Sequence, residues 1–138
     1  MGEKSLEVMN TSKVELEYRR LLRRAMTRHG GHIFREYYEE GLTRQQTFED
    51  ITKEMVEEMK EYIEDDSWPD ARDAARRILQ RYQDGDLLGA WLEYFKWYPE
   101  HGEYAGLVVG ILEKEKKYKE AVEILKLCNE LSRLEWDT

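Results

Sequence analysis

The chain is predicted to be all-α, a bundle of about six helices whose C-terminal half consists of antiparallel helical hairpins. Three observations predict it. Apolar residues recur three or four positions apart along most of the 138 residues. Charged residues make up 38% of the composition, with Leu, Glu, Lys and Arg prominent and only two prolines, a balance that favours helix over strand or disorder. Clusters of Gly, Pro and Asp then cut the periodic pattern into helix-length pieces.

Taken in order, residues 1–11 read as a flexible tail and 12–138 as one domain, with N-terminal helices over 12–66 and hairpins over 67–138. Ser12 with Glu15 has the form of a capping box, and Val14, Tyr18, Leu21, Leu22 and Ala25 follow at helical spacing until Gly30-Gly31. A shorter piece from His32 carries Ile33, Phe34, Tyr37 and Tyr38 and ends at Gly41. Thr43 with Gln46 suggests a second capping box, opening a long helix with Phe48, Ile51, Met55, Met59 and Tyr62 on one face and carboxylates on the other.

Trp68-Pro69-Asp70 breaks that helix, because proline disfavours helix at the preceding residue and suits a first turn. The next helix spans Asp70 to Gln83 with Ala71, Ala74, Ala75, Ile78, Leu79 and Tyr82 inward. Asp84-Gly85-Asp86 supplies a C-terminal glycine and then an N-capping aspartate. In Leu87 to Tyr98 only Gly89, Glu93 and Lys96 are not apolar or aromatic, so this helix must be covered on more than one side. The helix from Glu103 to Glu115 is apolar nearly all round in its first half, and Ala105, Gly106 and Gly110 permit a neighbour to approach closely. A final amphipathic helix runs from Tyr118 to about Leu134.

The stretch Gly102 to Leu131 resembles a tetratricopeptide repeat. Val108 and Leu112 match its first helix, Tyr118 the turn, and Ala121, Leu125 and Cys128 the second helix; Ala105 stands where the family often has Trp, and no Pro closes the unit. Asp70 to Tyr98 resembles a looser copy, and its Trp91, Tyr94 and Trp97 are similar in spacing to the half-a-TPR repeats of RNA-processing scaffolds. Such repeats stack hairpins that cannot bury their own apolar faces alone, and the resemblance implies a protein-binding scaffold. Val14 to Glu40 is similar to the LYR-motif proteins of mitochondria, with Tyr18, Arg19, Leu21, Leu22, Arg23, Phe34 and Arg35 matching and Glu17 replacing the first Leu. That resemblance implies an assembly factor or complex subunit.

No Gly-rich phosphate loop, HExxH, paired CxxC or nucleophile elbow is present. The expectation is a non-catalytic interaction or adaptor module with no cofactor and no metal. His29, His32 and Glu36 lie near one another in sequence, but a structural metal site needs four ligands. The carboxylates Glu57, Glu58, Glu61, Glu64, Asp65 and Asp66 read as a solvated face. Cys128, the single cysteine, reads as a small core residue in a reducing compartment.

Two candidate partner surfaces emerge. One is the aromatic group Trp91, Tyr94, Trp97 and Tyr98, expected mainly as core, with Trp97 and Tyr98 as the part that a protein partner would meet, while a second copy would meet the surface from Leu87 to Leu112. The other is the stripe Arg19, Arg20, Arg23 and Arg24, continued by Arg28, which would suit RNA or an acidic partner. Net charge is −8, yet Lys13 to Arg35 holds seven basic and two acidic residues and Glu36 to Asp66 three basic and twelve acidic. The expectation is that these segments pack side by side and neutralise each other. The longest apolar run is too short for a bilayer, which needs about 20 residues, and the start has no signal or transit pattern. A soluble cytoplasmic protein is expected, and its few Asn and Gln hint at a thermophilic source.

Overall fold

A computed structural model describes the backbone of residues 2–65 and 68–137 and the side chains of 13–65 and 68–132. Among the described residues there are seven α-helices and no strand. They are α1 (Gly2–Thr27), α2 (Gly31–Thr43), α3 (Phe48–Glu64), α4 (Pro69–Gln83), α5 (Leu87–Trp97), α6 (Ala105–Lys114) and α7 (Tyr118–Asp137), with a 3₁₀ turn over Pro99–Tyr104 between α5 and α6. The all-α expectation holds.

Two helix starts differ from the sequence reading. The backbone of α1 is helical from Gly2, so Ser12 lies inside the helix and not at its beginning. The capping box that opens α3 is Thr47 with Asp50, not Thr43 with Gln46: the Thr47 hydroxyl accepts from Asp50 N–H and the Asp50 carboxylate accepts from Thr47 N–H. Thr43 instead ends α2, its hydroxyl donating to the Glu40 carbonyl. Other boundaries fall where local chemistry puts them. Pro69 opens α4, and the Asp86 carboxylate accepts from Gly89 N–H at 2.8 Å to open α5.

The helix ends after α4 and α6 share one geometry. Gly85 N–H donates to Tyr82 and Asp86 N–H to Arg81; likewise Lys116 N–H donates to Glu113 and Lys117 N–H to Leu112. This doubled closure needs a left-handed residue, which is Gly85 (φ 80°) in the first and Lys116 (φ 61°) in the second.

The core joins all seven helices through Tyr18, Phe34, Ile51, Ile78, Trp91, Phe95 and Ile124, among others. Every residue of α6 from Ala105 to Leu112 is buried, as the lack of a polar face requires. The chief neighbour of α6 is α2. A Cβ on Gly106 would run into the Phe34 carbonyl, one on Gly110 into the Tyr38 carbonyl, and one on Gly41 into the Leu107 carbonyl. Glycines on both helices therefore set the crossing. The pairs α4–α5 and α6–α7 pack as sequential hairpins, while α1 lies on α7 and α2.

Candidate functional site

The C-terminal end of α6 fixes the N-terminal half through three consecutive side chains. Glu113 Oε1 accepts from Tyr18 OH on α1 (2.7 Å), Tyr38 OH on α2 (2.8 Å) and Arg19 Nη1 (2.7 Å). Lys114 Nζ donates to the carbonyls of Arg44 and Gln46, and the Glu115 carboxylate accepts from Phe48 N–H at 3.0 Å. With its main-chain turn pinned this way, α3 leaves its acidic face away from α1, which packs on α2 and α7. Arg19, Arg20, Arg23 and Arg24 make no ion pair with α2 or α3 among the described residues, so the expected neutralisation of the two segments is not made by direct pairing of this stripe.

The Arg stripe is divided by these contacts. Arg19 is committed to Glu113 and, at 3.5 Å, to Glu15. Arg28 donates to Asn129 Oδ1 at 2.8 Å and stands over the Phe34 ring. Arg20, Arg23 and Arg24 are exposed and hold no ion pair among the described residues. Tyr18 and Arg19, which carry the Tyr-Arg part of the LYR resemblance, are both bound internally by Glu113.

The aromatic helix α5 is divided as well. Trp91 is fully buried, stacks on Phe95 with centroids 5.5 Å apart, and donates from Nε1 to Thr52 Oγ1 at 2.8 Å, while Thr52 donates on to the Phe48 carbonyl at 2.6 Å. Tyr94 is buried and hydrogen-bonded to His101 Nδ1 at 2.8 Å. Neither ring is exposed to a protein partner, because α3, α4, α7 and the 3₁₀ turn pack around the helix. Burial is the first cause holding the Tyr94 phenol far above the ordinary tyrosine range, with the negative charge of Glu58 next.

Trp97 is 41% exposed and Trp68, at the entry to α4, is 72% exposed. Between them lies a groove of about 290 Å³ floored by Ala71 and Ala74 and closed at one end by Tyr98. The small floor residues make the depression; the indoles make its walls. Arg77 stands over the Trp97 ring at 5.9 Å from its centroid. The Tyr98 hydroxyl is buried with no hydrogen-bond partner among the described residues. Of the four aromatics singled out in the sequence, only Trp97 and Tyr98 contribute to this surface; the other wall is Trp68, which the sequence presents as the residue before a helix-opening proline.

A second, larger cavity of about 520 Å³ opens on the other side of α5. Met55, Glu54 and Glu58 of α3, Ile33 and Tyr37 of α2, Trp91 and Tyr94 of α5, and Glu100, His101, Glu103 and Tyr104 of the 3₁₀ turn line it. Sequence reading placed these residues in separate helices with no means of joining them. Glu58, read as part of a solvated face, is half-buried and accepts from Tyr62 OH at 3.0 Å.

Among the described residues no three His, Cys, Asp or Glu side chains are gathered as metal ligands. Asp66 lies outside the described residues. Cys128 is buried, and burial pushes its thiol up to about 12, which keeps it protonated and unreactive. Among the described residues no helix is long and apolar enough to cross a membrane. No protein-family model, curated protein or solved structure matches the chain.

Proposed function

We propose that the protein is a non-catalytic interaction module that binds a protein partner through the Trp68–Trp97 groove. The observation that supports this reading is the pairing of two solvent-facing indoles over an alanine floor in a chain whose other large rings are mostly packed inside. An exposed tryptophan costs hydration free energy that a partner's apolar side chain would recover, and tryptophan is the residue type most enriched at binding hot spots. The groove has room for one or two apolar side chains. That suits an anchor presented by another protein better than the roughly 800 Å² per partner that a stable dimer buries. The consecutive hairpins α4–α5 and α6–α7 support reading the scaffold as a divergent tetratricopeptide-like pair.

The test is co-purification from the native host at low and high salt, with the wild type, Trp97→Ala and Arg20→Glu/Arg23→Glu run side by side. A protein that survives high salt with the wild type and with the arginine variant, and is lost with Trp97→Ala, supports the groove. An unchanged set of partners with Trp97→Ala sinks it, as does light scattering that shows a Trp97-dependent dimer. A second reading has its own support in the exposed Arg20, Arg23 and Arg24, which hold no ion pair among the described residues: a subunit or assembly factor contacting RNA or an acidic partner. Partners lost with the arginine variant and washed off by salt would favour it.

A further inference from the structure

We propose that the 520 Å³ cavity between α2, α3, α5 and the 3₁₀ turn is a binding site for a small organic polycation of the linear polyamine class. This goes beyond the interaction reading and does not rest on it, because the cavity and the Trp68–Trp97 groove share no lining residue.

The argument begins with the walls. Tyr37 meets Tyr104 edge-on at 5.9 Å, Tyr104 lies 6.2 Å from Trp91, Trp91 meets Tyr94 edge-on at 5.4 Å, and Tyr94 lies 5.7 Å from the His101 ring. Tyr37, Tyr104 and His101, each partly exposed, supply the ring surface open to the cavity, and the buried Trp91 and Tyr94 close its wall behind them. Ring faces attract alkylammonium groups, and more strongly where water is partly excluded.

Charge selects the same ligand. Glu54, Glu58, Glu100 and Glu103 line the cavity with His101, and among the described residues no Lys or Arg does. The side-chain donors on Glu54 and Glu58, the Gln46 amide and the Tyr62 phenol, are neutral, so among the described residues neither carboxylate is held in an ion pair, although the Arg44 charge reaches Tyr104 and partly offsets Glu54 there. The carboxylates act on the rings: after burial, Glu58 is the next cause raising the Tyr94 phenol, and Glu54 the next cause raising Tyr104, which reaches about 12. An anionic ligand would be repelled, and a neutral apolar one would strip water from carboxylates without replacing it. A single metal cation would use the carboxylates but not the rings, and no trio of ligands is gathered for it among the described residues. A chain of amines spaced by methylenes uses both, and the volume is within the range of small-molecule sites.

The experiment is calorimetric titration of the full chain with spermidine at about 0.1 M salt, followed in parallel by tryptophan fluorescence, since Trp91 lines the site. The expected result is saturable one-site binding that Glu58→Gln and Tyr104→Ala each weaken about tenfold. Glu57→Gln, which removes an equal charge from the same helix outside the cavity, should leave it unchanged. Glu54→Gln, at an exposed position, replaces Glu58→Gln if that variant does not fold. Binding weakened equally by Glu57→Gln, displacement by equimolar Mg²⁺, or no saturation would reduce the site to non-specific counterion attraction and overturn the proposal. A single-lysine peptide that binds at least as tightly as spermidine would also overturn it, in favour of a protein ligand.

Discussion

Tyr18 and Glu113, 95 residues apart in the chain, are joined by a 2.7 Å hydrogen bond from a fully buried phenol to a carboxylate that also receives Tyr38 and Arg19. One oxygen thus holds α1 and α2 to the end of α6. A charged acceptor inside a bundle is tolerable only because three donors surround it. Replacing it with Gln keeps the shape and removes the charge, and should cost about 1 kcal/mol; Glu113→Ala, which strands the Tyr18 hydroxyl, should cost about 3 kcal/mol. Urea denaturation would measure both. If Glu113→Ala is neutral, these contacts are not holding the helices together.

The Thr52 hydroxyl is the acceptor for the buried indole N–H of Trp91. Thr52→Val preserves volume and leaves that donor without a partner, so stability should fall by about 1–3 kcal/mol. Trp91 fluorescence should shift as its surroundings change. A variant as stable as the wild type would mean that the hydrogen bond contributes nothing net.

Alkaline pH should unfold the protein. Burial is the first cause, and a neighbouring carboxylate the next, holding Tyr38, Tyr62 and Tyr104 up to about 12; the same order of causes raises Tyr18 and Tyr94 further still. A tyrosine in the unfolded chain ionises near 10. Below that pH both states keep the proton and the contribution is complete. Between about 10 and 12 the unfolded chain loses protons that the folded chain retains, so stability falls as pH rises through that window. Denaturation curves at pH 8, 10 and 11 should show the midpoint decreasing. A midpoint that is the same at pH 8 and pH 11 would contradict it.

The sequence by itself determined where most helices lie and which faces are apolar. Those features depend on residues three or four apart and on local punctuation: Pro69 opens α4, Asp86 caps α5, and Gly85 permits the left-handed turn before it. It also required α6 to be buried all round. Only the tertiary structure moved the capping box of α3 from Thr43 to Thr47. Lys114 and Glu115 grip the Arg44 and Gln46 carbonyls and the Phe48 N–H, which places the start of α3 at Thr47. It decided that the glycines of α6 receive α2, since small residues permit close approach without naming the neighbour. It divided α5 into buried Trp91 and Tyr94 and solvent-facing Trp97, because the surrounding helices cover only part of its length. And it gathered Glu54, Glu58, Tyr94 and Tyr104 around one cavity. Side chains on separate helices acquire a common site only when the helices pack, and no local spacing records which helices will meet.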